Sequence, residues 1–219
     1  MGESMPQIIA LASSKGGPGK TTLAQILLAS LAADGVGVAA IDADPTGALS
    51  RWVSTTYEGP AFPCHHETDE TGLANLVSHL AQQFGVVVVD TAGFGNQAAA
   101  VAMTAADLVL IPMLPGEADV TEAERTVQRV QGLSTASRRD IASKVVLNRV
   151  QETNLSRHAA TEAARLPRLQ ASLSSLTAYG EISFSGRLPA KGKPAAEIAA
   201  LLEELQEGGW LPAVKRPAA

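Results

Sequence analysis

Two kinds of hydrophobic pattern alternate along this chain. Gln7–Ala12, Val36–Ile41, Val86–Val89 and Leu108–Ile111 are short, almost uninterrupted apolar runs. Such runs suit strands buried on both faces, because a strand with one wet face would alternate apolar and polar positions. Between them lie stretches with helical spacing. Lys20 to about Ala33 carries Leu23, Ile26, Leu27 and Leu31 and stops at Asp34-Gly35, a residue pair that ends helices. Further helices are predicted over Thr71–Gln83, Asn96–Ala106 and from the Pro115–Asp119 turn to about Leu133, with Pro112 closing the strand before it. Lys144–Val150 reads as another strand and Asn154–Arg165 as a helix. Pro167 then breaks the pattern, one more strand is expected within Leu169–Ser185, Gly186–Pro194 reads as a basic loop, and Ala195–Leu205 as a last helix with an acidic face. Ser54–Glu70 is polar and turn-rich and receives no element. Strand-helix alternation of this kind predicts an α/β protein, three layers deep, with a mostly parallel twisted central sheet. The expected organisation is a loose tail over 1–6, one domain over 7–207, and a flexible tail over 208–219.

Composition narrows the class. Of 219 residues 46% are hydrophobic but only 4% aromatic, so the core is expected to consist of Ala, Val, Leu and Ile. No 18-residue apolar run or secretory signal stands in the sequence, and it holds one cysteine. A cytoplasmic protein of a reducing compartment is therefore expected, with no membrane partner. Pro6 occupies the position where a myristoylation signal after Gly2 needs Ser or Thr.

The chemistry centres on Ser13-Ser14-Lys15-Gly16-Gly17-Pro18-Gly19-Lys20-Thr21-Thr22. A strand precedes it and a helix follows, so its glycines let backbone N–H groups converge on an anion while the helix adds its positive end. It follows the phosphate-binding P-loop pattern, with Gly16, Gly17, Pro18, Gly19, Lys20, Thr21 and Thr22 as the cradle, except that Ser14 replaces the first glycine and Lys15 is an additional cation. In that pattern Lys20 reaches the β- and γ-phosphates and the Thr21 hydroxyl ligates Mg²⁺. Asp90-Thr91-Ala92-Gly93 ends the most β-branched strand and supplies the acid expected to hold Mg²⁺ through a water. Asp42-Ala43-Asp44-Pro45 places two further carboxylates at a strand end, where open α/β sheets take their ligands. Asn148 ends another strand, with an amide that can satisfy the donor and acceptor edge of adenine. The residues after it, Arg149-Val150-Gln151, lack the Asp of a guanine-selective pattern. Cys64-His65-His66-Glu67 has no second ligand cluster at a zinc-type spacing, so no metal site is expected there.

The loop with Lys15 resembles the deviant Walker A motif, K-G-G-x-G-K-T-T, of the ParA/MinD family of P-loop ATPases. Asp42-Ala43-Asp44-Pro45 resembles that family's Asp-x-Asp-Pro switch, with Thr46 where Gln is usual, and Ile111-Pro112 with Pro115 and Asp119 resembles another family segment. The likeness covers roughly 7–205, thins after about 150, and is greatest to small ParA-type partition ATPases without an N-terminal helix-turn-helix domain. It implies the P-loop NTPase fold, ATP and Mg²⁺ as cofactors, and an ATP-dependent sandwich homodimer in which Lys15 reaches the partner's nucleotide. It further implies that Asp44 orients or activates the attacking water, that Asp42 supports the Mg²⁺ shell, and that a ParB-like adaptor stimulates hydrolysis. Ile182 stands where many small ParA proteins carry an arginine.

Charge distribution adds a DNA expectation. Between Arg138 and Lys193 ten basic residues face four acidic ones, although the whole chain carries −5. Such asymmetry hints at a nucleic-acid face, with Arg165, Arg168, Arg187, Lys191 and Lys193 as candidate contacts to nonspecific double-stranded DNA on the nucleoid. Three other classes are separable on the sequence. The Asp42–Trp52 stretch also resembles VirC-type DNA-transfer ATPases. A MinD-type membrane oscillator needs a basic amphipathic C-terminal helix, whereas the last helix here is acidic. A metabolic P-loop enzyme, such as a dethiobiotin-synthetase-like ligase, would have no need of Lys15.

Overall fold

The computed structural model describes residues 7–93 and 96–213. The expected tail 1–6 and the end of the C-terminal tail, 214–219, lie outside the described residues. Seven strands form one sheet: β1 (Gln7–Leu11), β2 (Val38–Ala43), β3 (Cys64–His66), β4 (Val86–Thr91), β5 (Leu108–Met113), β6 (Ala142–Val150) and β7 (Arg168–Ser174). Their order is β3-β2-β4-β1-β5-β6-β7, and every pairing is parallel. Helices α1 (Lys20–Ala33), α2 (Ala48–Thr55), α3 (Glu70–Ala81), α4 (Gln97–Ala105), α5 (Glu117–Ser137) and α6 (Asn154–Glu162) connect them, and α7 (Thr177–Ser185) and α8 (Gly192–Glu207) follow β7.

Alternation along each strand divides the core into two layers. On β1, Ile9 and Leu11 pack with α1, α2, α7 and α8 on one face, while Ala10 and the following Ala12 pack with α3, α4, α5 and α6 on the other. Helix α1 lies against the middle of the sheet, and Leu23, Ile26, Leu27 and Leu28 are fully buried. Each such side chain contributes about 1.5–3 kcal/mol by leaving water. The result is a rigid platform under the loop that joins β1 to α1.

Three sequence expectations need correction. Strand β3 lies inside Ser54–Glu70, which received no element, and helix α2 fills the stretch leading into it. Strand β5 runs through Pro112, which pairs in register with Val146. The proline is tolerated because β1 ends near Leu110, whose carbonyl takes its last bond from Ala12. Two residues on, the missing N–H faces the side that β1 has already left. The strand expected within 169–185 is present as β7, with α7 after it. The chain after Gly208 stays packed as far as Leu211, which is 4% exposed and belongs to the core, and Lys144 Nζ lies 5.1 Å from the Trp210 ring centre.

Candidate nucleotide site

Strands β1, β2 and β4 are neighbours at the centre of the sheet, and their carboxyl ends carry the loop, the Asp42–Asp44 turn and Asp90. Gly17 and Gly19 adopt φ of 93° and 106°, conformations that only glycine takes cheaply. Lys20 opens α1, is 7% exposed, and donates from Nζ to Ser13 Oγ at 2.9 Å and to the Lys15 carbonyl at 3.2 Å. Burial lowers its pKa, against the pull of Asp90 and Asp44. A buried ammonium resting on two neutral oxygens has room to gain from an anion. The Lys15 side chain is exposed on the loop flank.

Opposite the lysine, the Thr21 hydroxyl donates to Asp90 Oδ2 at 2.6 Å. Asp90 is 1% exposed, and its Oδ1 has no hydrogen-bond partner among the described residues. Burial pushes its carboxyl up to about 7, with Asp42 and Asp44 adding to the rise and Thr21 and Lys20 opposing it. Thr91 fixes the strand end by donating to the Leu11 carbonyl at 2.7 Å. Hard oxygen donors and an orphaned buried carboxylate oxygen suit Mg²⁺, which keeps several waters and needs few protein ligands.

Asp42 pairs in register with Asp90 on the adjacent strand and is fully buried. Its carboxylate accepts from the backbone N–H of Asp44 at 3.2 Å and of Ser50 at 2.8 Å. Both oxygens thus brace the turn and the start of α2. Asp44 is half-buried and accepts from the Thr46 N–H at 2.8 Å.

A third group lies beyond α1. Asn148 is 4% exposed. Its Nδ2 donates to the Pro18 carbonyl at 2.7 Å, and its Oδ1 accepts from the Arg149 N–H at 2.9 Å. A side chain at Gly19 would overlap that amide. In this arrangement Asn148 braces the loop while also lining, with Thr22, Arg149, Ser175, Thr177 and Tyr179, a pocket of about 160 Å³. The pocket wall is held from α8, since Glu197 accepts from Ser174 Oγ at 2.5 Å and from the Tyr179 hydroxyl at 2.6 Å. Sequence reasoning missed Glu197 and Tyr179, because a carboxylate on an acidic helix face gives no sign of where it bonds. It also missed Trp52 on α2, whose indole N–H donates to the Ile182 carbonyl at 2.9 Å and so ties the segment after Asp44 to the helix that carries Tyr179.

The five candidate DNA contacts do not all lie at one end of β7. Arg168 begins β7, and Arg165 just before it pairs with Glu124 at 3.0 Å and Glu162 at 3.8 Å. Lys193 lies at the other end, 3.9 Å from Glu197, whose carboxylate holds Ser174, the last residue of β7. Lys191 immediately precedes α8 and makes no side-chain capping bond to it, and Arg187 donates to Glu58 at 2.6 Å. Charge asymmetry along a sequence records neither pairing nor separation. Among the described residues no helix is long and apolar enough to cross a membrane.

Comparison with known proteins gives concordant results. The family described as "VirC1 protein" matches residues 6–202. Maintenance of carboxysome distribution protein A of Gloeobacter kilaueensis is 32% identical over 206 residues, 90% of this chain and 91% of that protein. Protein ParA of Rhizobium radiobacter is 33% identical over 143 residues, which span 65% of this chain and 64% of ParA. The ATP complex of McdA from Cyanothece has the same fold, with a TM-score of 0.80 at 18% identity over 99% of this chain and 100% of that one.

Proposed function

Since the chain belongs to the VirC1 protein family, within the ParA/MinD-type P-loop ATPases, we propose that it is an ATPase that partitions or positions cargo through an ATP-dependent hold on DNA. The observation that carries this reading is the Thr21–Asp90 pair, with the second Asp90 oxygen orphaned and buried across from Lys20. Backbone N–H groups of Gly16, Gly17, Gly19 and Lys20 would cradle the phosphates, and Lys20 would exchange Ser13 and Lys15 for β- and γ-phosphate oxygens. Thr21 and Asp90 would hold Mg²⁺, with Asp42 keeping the neighbouring turn in shape. Bound Mg²⁺ supplies charge neutralisation on the phosphates. Asp44 would orient the attacking water, and the pocket beside Thr22 and Asn148 would take the adenine.

Exposed Lys15 is suited to reach the nucleotide of a second copy, so that ATP closes a homodimer. That dimer would bind duplex without sequence preference, through Arg187, Lys191 and Lys193, through Arg165 and Arg168, or through both sets, and a ParB-like adaptor would speed hydrolysis and reset it. A VirC-type role in DNA transfer is the second reading, favoured by the family match over 6–202. Phosphate release measured with purified protein, Mg²⁺ and ATP tests the proposal. Slow turnover is expected for the wild type, and Asp44→Ala should bind ATP but hydrolyse it at least about tenfold more slowly. Wild-type turnover by Asp44→Ala would contradict the assignment.

A further inference from the structure

The Cys64-His65-His66 run has a different use. Strand β3 is a three-residue edge strand lying on β2, with His66 in register with Asp42. Just beyond it, the Glu67 N–H donates to the Asp42 carbonyl at 3.0 Å. His66 itself places Nε2 3.0 Å from the carbonyl oxygen of Asp44. A carbonyl only accepts, so the ring must carry its proton on Nε2 and donate.

Around that carbonyl the chain is otherwise held by itself. Asp44 N–H bonds to Asp42, Thr46 N–H to Asp44 Oδ1, Gly47 N–H to the Asp44 carbonyl and Ser50 N–H to Asp42. These bonds shape the turn, and the pairing of β2 with β4, as far as Ala43 with Thr91, holds its start beside Asp90. On the opposite side of β2, Glu67 and His66 hold the carbonyls of Asp42 and Asp44. The first anchor is ordinary strand pairing. The second is a side chain, and it grips the very residue whose carboxylate must meet the attacking water. Catalysis is sensitive to such placement, since a shift of about 1 Å in a positioned group costs on the order of 100-fold in rate.

We propose that His66 is a positioning residue for hydrolysis, holding the Asp44 turn through its ring N–H. This rests on the reading of Asp44 as the residue that orients water. The test compares His66→Leu, which keeps the bulk but has no donor, with His66→Gln, which restores an N–H at similar reach. Two readouts are taken on the full chain: amide hydrogen exchange over 44–50 without nucleotide, and kcat and KM for ATP.

Expected are exchange about tenfold faster over 44–50 in His66→Leu, kcat about tenfold lower with KM within about twofold, and substantial recovery of both exchange and kcat in His66→Gln. Unchanged exchange in His66→Leu overturns the inference, as does equal impairment of the two variants, which would mark a role in packing alone. Faster exchange with unaltered kcat would refute the catalytic consequence. If the wild type hydrolyses no ATP, the functional reading fails, while the exchange result still judges the tie between His66 and Asp44.

Discussion

The hydroxyl of Thr21 donates to Asp90 Oδ2 across 2.6 Å, joining the first turn of α1 to the end of β4. The contact leaves the other Asp90 oxygen buried and without a hydrogen-bond partner among the described residues. An uncompensated carboxylate oxygen is costly to bury, which is why the group holds its proton up to about pH 7. A divalent ion shared with nucleotide phosphates would remove that cost.

Nucleotide affinity should therefore depend on Mg²⁺ through this pair. Asp90→Asn keeps the shape but loses the charge, so the strengthening of ATP binding by Mg²⁺ should fall on the order of 10- to 100-fold, the usual effect of removing a group that orients a metal's ligands. Calorimetric titration with and without Mg²⁺ measures it. An equal response in wild type and variant would place the ion elsewhere.

The two lysines of the loop should separate cleanly. Lys20 is buried against the cradle, whereas Lys15 is exposed. Lys20→Ala should lose nucleotide binding, while Lys15→Ala should bind ATP within a few-fold of wild type and remain monomeric. Light scattering after size exclusion in Mg²⁺·ATP distinguishes them. A dimer of normal stability in Lys15→Ala would remove that lysine from the interface.

Cys64 offers a pH test away from the phosphates. Burial first, then the carboxylates of Asp42 and Asp90, push its thiol from 9.0 up to about 12. The folded protein keeps this proton where the unfolded chain has lost it, so the stability it contributes is present below pH 9 and declines as pH rises from about 9 to 12. At pH 8 the thiolate fraction, and with it alkylation by iodoacetamide, should be about 100- to 1000-fold lower in the folded protein than in denaturant. With one cysteine in the chain, mass spectrometry reads the rate directly. Similar rates in both states would contradict the burial argument.

The centre of the fold was legible because its signals are local. Val86–Val89 can be little other than a strand covered on both faces, and a glycine loop between such a strand and a helix has few alternatives. Strand β3 escaped notice because it lies at the sheet edge with His65 and His66 exposed, which leaves no apolar run to read. Helix α2 escaped because it starts from Gly47 at a φ of 61° with no side-chain cap, so no Ser, Thr, Asp or Asn announced it. Asn148 was placed correctly at a strand end, but its bond to Pro18 joins residues 130 apart, a relation that spacing cannot express. The same holds for Trp52 and Ile182, and for Glu197 with Ser174 and Tyr179. Leu211 was lost among glycine and proline, where one buried side chain makes no period.

The most direct test of the functional reading is fluorescence anisotropy of a labelled random-sequence duplex, titrated with the protein in Mg²⁺·ATP and in Mg²⁺·ADP at several salt concentrations. The proposed dimer would present twice the cations to one duplex, and each phosphate contact adds about 0.9 to the slope of log affinity against log salt. The reading predicts much tighter binding in ATP than in ADP, with the steeper salt slope in ATP. Equal affinity in the two nucleotides, or no binding at low salt in either, would contradict it.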